Sequence, residues 1–119
     1  MALTLVPLRI SIGWKVCWNT FFEINPDEFI NKDFEYKWEF NEDIFQFVHE
    51  SQRKILDLGW YPETDPKGQF HLKLIMQCDN EDDQSNAWQD PLISYKTRNY
   101  YELILKIEEI LNEVSHGNQ

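Results

Sequence analysis

Asp79, Glu81, Asp83 and Asp90 stand at the first, third, fifth and twelfth positions of a stretch with the ligand spacing of a calcium loop. Oxygens at that spacing can surround a hard cation. The template fails at two points. Gln84 sits where the sharp turn needs glycine, and Asp90 is shorter than the usual bidentate glutamate. The flanking segments also read as strands rather than helices. Two other readings of the stretch stay open. It is a solvated acidic loop, or it presents Asp79, Glu81, Asp82 and Asp83 to the Lys/Arg-lined active site of a nuclease. Carboxylates would there take the places of substrate phosphates, since both accept from Arg and Lys. Trp88 beside it reads either as a hot-spot anchor or as core. The partner-binding candidates are therefore Asp79, Glu81, Asp82, Asp83, Trp88 and Asp90.

Other chemistry-bearing residues do not assemble. His49, His71 and His116 lie in separate segments, with no HExxH or Cys/His spacing, so zinc is unsupported. Cys17 and Cys78 form no CxxC pair and read as reduced core thiols. No GxSxG is present, and the four glycines, Gly13, Gly59, Gly68 and Gly117, build no phosphate-cradling loop. Carboxylates abound, but abundance in an acidic chain does not mark a tuned acid–base pair. Neither a metal nor a cofactor is expected, and a binding protein is expected before an enzyme.

Twenty-one acidic residues against eleven basic ones give a net charge of −10 and a pI near 4.6. That field repels nucleic-acid phosphates and anionic membrane surfaces and steers in a basic partner. Acidity as a plain solubility device is the alternative. No basic start precedes a long apolar run, and no stretch approaches a membrane span, so the cytoplasm is the expected location. The 119 residues suit one domain, 1–119, and the 15% aromatic content favours a packed globule.

The elements that must position these residues follow from periodicity. Leu3–Ile12 alternates and reads as a strand, with Pro7 at an edge. Trp14–Ile24 is a second strand, or the same one bent at Gly13. Asn25-Pro26-Asp27 signals a turn, with a short helical turn through Phe29. Phe34–Phe40 alternates aromatic and charged residues, which predicts a strand with Phe34, Tyr36, Trp38 and Phe40 on one face. That face is either core or an exposed partner surface. Asn41 as cap and the spacing of Ile44, Val48, Ser51 and Ile55 predict a helix over Glu42–Leu56. Leu56–Tyr61 and Phe70–Met76 form a hairpin around a Pro/Gly loop, Asp79–Asn86 is a loop, and Leu92–Lys96 is a last strand. Asn99 caps a final helix with the stripe Tyr100, Leu103, Ile104, Ile107, Leu111 and Val114, stopped at Gly117. The fold class is α+β: a mainly antiparallel sheet of about five to six strands and two main helices, the second at the C-terminus.

The run Leu56-Asp57-Leu58-Gly59-Trp60-Tyr61-Pro62, the strand Gln69–Met76 and the closing Tyr95-Lys96-Thr97-Arg98-Asn99 resemble, in general style, the immunity proteins of bacterial polymorphic and contact-dependent growth inhibition systems. The resemblance implies a cytoplasmic, non-enzymatic α+β inhibitor. Its partner would be a cognate protein toxin, here a basic nuclease domain in the acidic-loop reading. A ligand-binding or enzymatic domain with an aromatic-lined pocket, and a homo-oligomeric interaction module, are the competing expectations. Monomer and homodimer both stay open.

Overall fold

Gly13 precedes the first strand with φ +96°, and a Cβ there would collide with the His49 ring. Only glycine combines that backbone conformation with so close an approach. The computed structural model describes residues 3–118. Five strands follow in sequence order: β1 Trp14–Asn19, β2 Phe45–His49, β3 Lys54–Tyr61, β4 Gln69–Met76 and β5 Ile93–Thr97. Each pairs antiparallel with the next, in the order β1-β2-β3-β4-β5. Helix α1, Glu81–Gln89, connects β4 to β5, and α2, Tyr100–Ser115, closes the chain. The α+β class, the antiparallel sheet and the C-terminal helix stand as read from sequence.

One sheet face carries Phe45, Phe47, Leu56, Leu58, Trp60, Phe70, Leu72 and Leu74, all buried. Against it pack Leu103, Ile107, Ile110, Leu111 and Val114 of α2, together with Val6, Phe21, Ile24, Phe29 and Phe40 from the N-terminal third. The apolar stripe of α2 has the period that puts it on this core, and Asn99 caps it by accepting from the Glu102 amide. Arg98 ties the layers together. Its guanidinium lies 5.1 Å from the Trp60 ring and donates to the carbonyls of Pro66, Gly68 and Pro26.

Five sequence readings change. The predicted helix over Glu42–Leu56 is a hairpin of β2 and β3, turned at Arg53 with φ +55°. Strands buried on both faces lose the alternation that identifies them, so Ile44, Val48 and Ile55 fit a helical period by coincidence. Asn41 does cap something smaller: its side chain accepts from the Asp43 amide in a tight turn. The predicted strand Phe34–Phe40 is a series of turns ending in a short 3-10 helix, Lys37–Glu39. It pairs with no strand among the described residues. Instead Phe29, Phe34 and Phe40 pack together, with Phe40 against Trp60 at 4.7 Å, while Trp38 is left 68% exposed. Leu3–Ile12 forms no strand, only the bridge Leu5–Phe22, among the described residues. Pro7 has no amide to donate, and the Arg9 amide and the Ile12 carbonyl bond to the α2 side chains of Glu108 and Ser115 instead. The second strand ends at Asn19 rather than Ile24. Finally, the acidic loop Asp79–Asn86 is mostly helix α1. The 3-10 turn Pro26–Glu28, capped by Asn25, is as expected.

The cysteines and one histidine change environment too. Both thiols are free, Cys17 exposed beside the irregular register of β1 and Cys78 half-buried, so neither is a core residue. His49 is on β2, not mid-helix, and is only 4% exposed. Its Nε2 lies 3.2 Å from the Ile12 carbonyl and its Nδ1 accepts from the Gln52 amide. That is a satisfied structural histidine.

Candidate functional site: the outer face of the sheet

The second sheet face is covered over only part of its area. Register sets its rows. Val48, Ile55 and Ile75 lie side by side across β2, β3 and β4, and α1 covers this row with Ala87 and Trp88. The next row crosses all five strands as Trp18, Gln46, Asp57, Lys73 and Ser94. Beyond it lie Gly59, His71 and Lys96, then Tyr61 and Gln69. The acidic helix thus forms a wall, and the polar and aromatic rows form a floor beside it.

Local sequence explains the wall. Asn80 caps α1: its side chain accepts from the Asp83 amide at 2.8 Å and donates to the Asp83 carboxylate at 2.8 Å. Glu81, Asp82 and Asp83 fill the first turn, where the helix dipole favours negative charge. Gln84 clamps the helix to the end of β4, accepting from the Cys78 amide and donating to the Met76 carbonyl, both at 2.8 Å. Asn80 and its acidic turn carry the same kind of start signal that Asn41, Glu42 and Asp43 display without starting a helix.

The six candidate residues therefore do not converge. Asp79 pairs with Arg53 at 2.8 Å, on the surface. Glu81, Asp82 and Asp83 are exposed in the first turn, Trp88 is turned down onto the sheet, and Asp90 is the exposed C-cap. The nine-residue helix between Asp79 and Asp90 is about 14 Å long at about 1.5 Å per residue, so the calcium-loop geometry is not formed. No group of three or more His, Cys, Asp or Glu suited to a metal ion occurs among the described residues. Trp88 resolves toward anchoring α1 rather than toward the exterior.

Asp57 belongs to no catalytic or metal-binding motif. It is the one carboxylate inside the buried run of β3. Burial pushes its pKa up to about 6; Gln46, whose Nε2 lies 3.5 Å away, and Lys73 across the ladder oppose the shift, while Asp43 adds to it. The Tyr61 and His71 rings lie 4.7 Å apart, and the Lys73 ammonium sits 5.9 Å from the Tyr61 ring. Burial lowers the His71 pKa, helped by Lys96 and Lys73. Burial and the carboxylates around it raise that of Tyr61. The floor therefore holds a proton at Asp57 in the slightly acidic range while His71 stays neutral near pH 7. A lone carboxylate among the apolar residues of the strand is the signal that marks it.

The aromatic-lined pocket does not take shape among the core rings. The depression among Phe21, Phe22, Phe40 and Phe70 holds about 10 Å³, room for a single water at most. No helix among the described residues is long and apolar enough to cross a membrane. No protein-family model, curated protein or solved structure matches this chain.

Proposed function

We propose that this protein is a toxin-neutralising inhibitor of the immunity type, which binds a basic protein partner and occludes its working surface. The observation that carries this reading is the mounting of α1. Glu81, Asp82 and Asp90 point into solvent from a helix held by the Asn80 cap, the Gln84 clamp and Trp88. Pre-organised charge loses little entropy on binding and accelerates encounter with an oppositely charged surface. The net charge of −10 extends that field over the molecule. Asp79 contributes less, since Arg53 neutralises it.

Neutralisation is read out in co-culture. A strain lacking this protein should be outcompeted by its otherwise identical parent, and plasmid expression of the chain should restore parity. Equal fitness with and without the chain would count against the immunity reading. Glu81→Lys with Asp82→Lys leaves the Asn80–Asp83 cap intact and should slow association with the toxin by about tenfold at low salt, with a shallower salt dependence. An unchanged rate would remove α1 from the interface.

A further inference from the structure

Glu23, Glu28, Tyr36, Tyr100 and Tyr101 come together where the chain after β1 meets the first turn of α2. Three depressions adjoin there. One of about 250 Å³ is lined by Glu23, Glu28 and Tyr36. A second, about 330 Å³, takes Glu23 and Glu28 as its shared wall and adds Tyr100 and Tyr101. The third, about 270 Å³, shares Tyr100 and Tyr101 and adds Asp27 and Arg98. The shared residues make them one groove.

Charge and hydrogen bonding point to its ligand. Three carboxylates, Glu23, Asp27 and Glu28, border the groove and are exposed. Arg98, the cation that lines it, is occupied by three carbonyls and the Trp60 face. The salt bridges Arg53–Asp79 and Lys106–Glu109 lie elsewhere. Tyr100 is only 9% exposed, yet its hydroxyl has no hydrogen-bond partner among the described residues. No buried polar atom is left unsatisfied among those residues, so that oxygen opens onto the groove it lines. Burial and the neighbouring Glu23 carboxylate push the Tyr100 pKa up to about 12, which keeps the hydroxyl protonated. Tyr101 stands edge-on to Tyr100 at 5.3 Å and is 68% exposed, a flat platform at the rim.

We propose that this groove receives an arginine side chain of the basic partner, the guanidinium resting on Tyr101 and donating to Glu23, Glu28 and the Tyr100 hydroxyl. The proposal rests on the inhibitor reading for the identity of the partner, and on the groove alone for the chemistry. A guanidinium is planar, weakly hydrated and carries five donors, so it stacks and forks onto carboxylates together. An ammonium satisfies the charge but not the stacking plane. A carboxylate or phosphate ligand is repelled by the three acidic residues.

The test is an amide-resolved NMR titration with the peptide acetyl-Gly-Arg-Arg-Gly-amide and its lysine and citrulline counterparts. The arginine peptide should give saturable shifts centred on residues 23–28 and 100–101, with weaker binding of the lysine peptide and none of the citrulline peptide. Glu23→Gln with Glu28→Gln, or Tyr101→Ala, should weaken binding about tenfold, whereas Glu50→Gln with Glu63→Gln, exposed carboxylates away from the groove, should not change it. Shifts spread evenly over all carboxylates, or equal affinity for arginine and lysine, would overturn the assignment. The co-culture assay separates the two readings. Full protection by the Glu23→Gln/Glu28→Gln protein sinks the groove as the toxin contact and leaves the inhibitor reading standing. Arginine-peptide binding without any protection by the native chain does the reverse.

Discussion

Asp57→Asn should stabilise the protein at neutral pH and leave it unchanged in acid. Asp57 lies in the centre of the sheet, cross-strand from Lys73 and within 3.5 Å of Gln46 Nε2. Its pKa rises from 3.8 to about 6 because burial penalises the anion more than Gln46 and Lys73 favour it. The folded value is above the unfolded one, so the native state binds the extra proton between those pH values. The contribution of Asp57 to stability is therefore fully present below about pH 4 and is lost as pH rises through about 6. A rise of that size corresponds to at most about 3 kcal/mol, and partial solvent access makes about 1–3 kcal/mol the expected range at about pH 7.5. Asparagine keeps the shape and the acceptor for Gln46 without the charge. Urea unfolding followed by tryptophan fluorescence, from about pH 4 to about pH 7.5, measures the difference between the two proteins. Taking that difference cancels the common titration of the other carboxylates. Near zero at the acid end, it should grow to about 1–3 kcal/mol at the neutral end, equivalent to about 4 °C in Tm per kcal/mol for a chain of this size. A pH-independent difference would show that Gln46 and Lys73 fully offset burial, and a variant less stable than wild type only at neutral pH that they outweigh it.

Two further perturbations address the parts that hold the surfaces in place. Arg98→Met keeps the packing on Trp60 but leaves the carbonyls of Pro66 and Gly68 without their side-chain donor and that of Pro26 with the Phe29 amide alone; a loss of about 2–4 kcal/mol is expected in chemical denaturation, and a loss under about 1 kcal/mol would show that water replaces the guanidinium readily. Trp88→Ala removes the side chain that seats α1 on Val48, Ile55 and Ile75; hydrogen exchange across Glu81–Gln89 should accelerate at least about tenfold while the protection of β3 falls far less, and equal loosening of both would mean that α1 is integral to the core.

The elements legible in the chain are those whose signals are local and uncontested. Helix α2 carries a cap, a helical apolar stripe and a glycine stop, and each acts within a few residues of its partner. The β3–β4 hairpin is legible from two strand-forming runs around a Pro/Gly loop, and the acidic balance from counting. Long-range packing sets the rest. Where strands are buried on both faces, as in β2 and β3, the outer row of Val48 and Ile55 is apolar because α1 lies over it, and that cover comes from residues far along the chain. The alternating aromatics of Phe34–Phe40 find ring partners rather than a neighbouring strand, so turns replace the strand. For function the division is sharper. Composition marks the carboxylates that α1 displays, but their places along a helix, and hence the failure of the calcium geometry, follow from the Asn80 cap and the Gln84 clamp. Asp57 carries only a faint local signal and the tyrosine groove none. Burial by the sheet perturbs the first, and the meeting of residues 23–36 with residues 98–101 creates the second; neither proximity can be read from neighbouring positions in the chain.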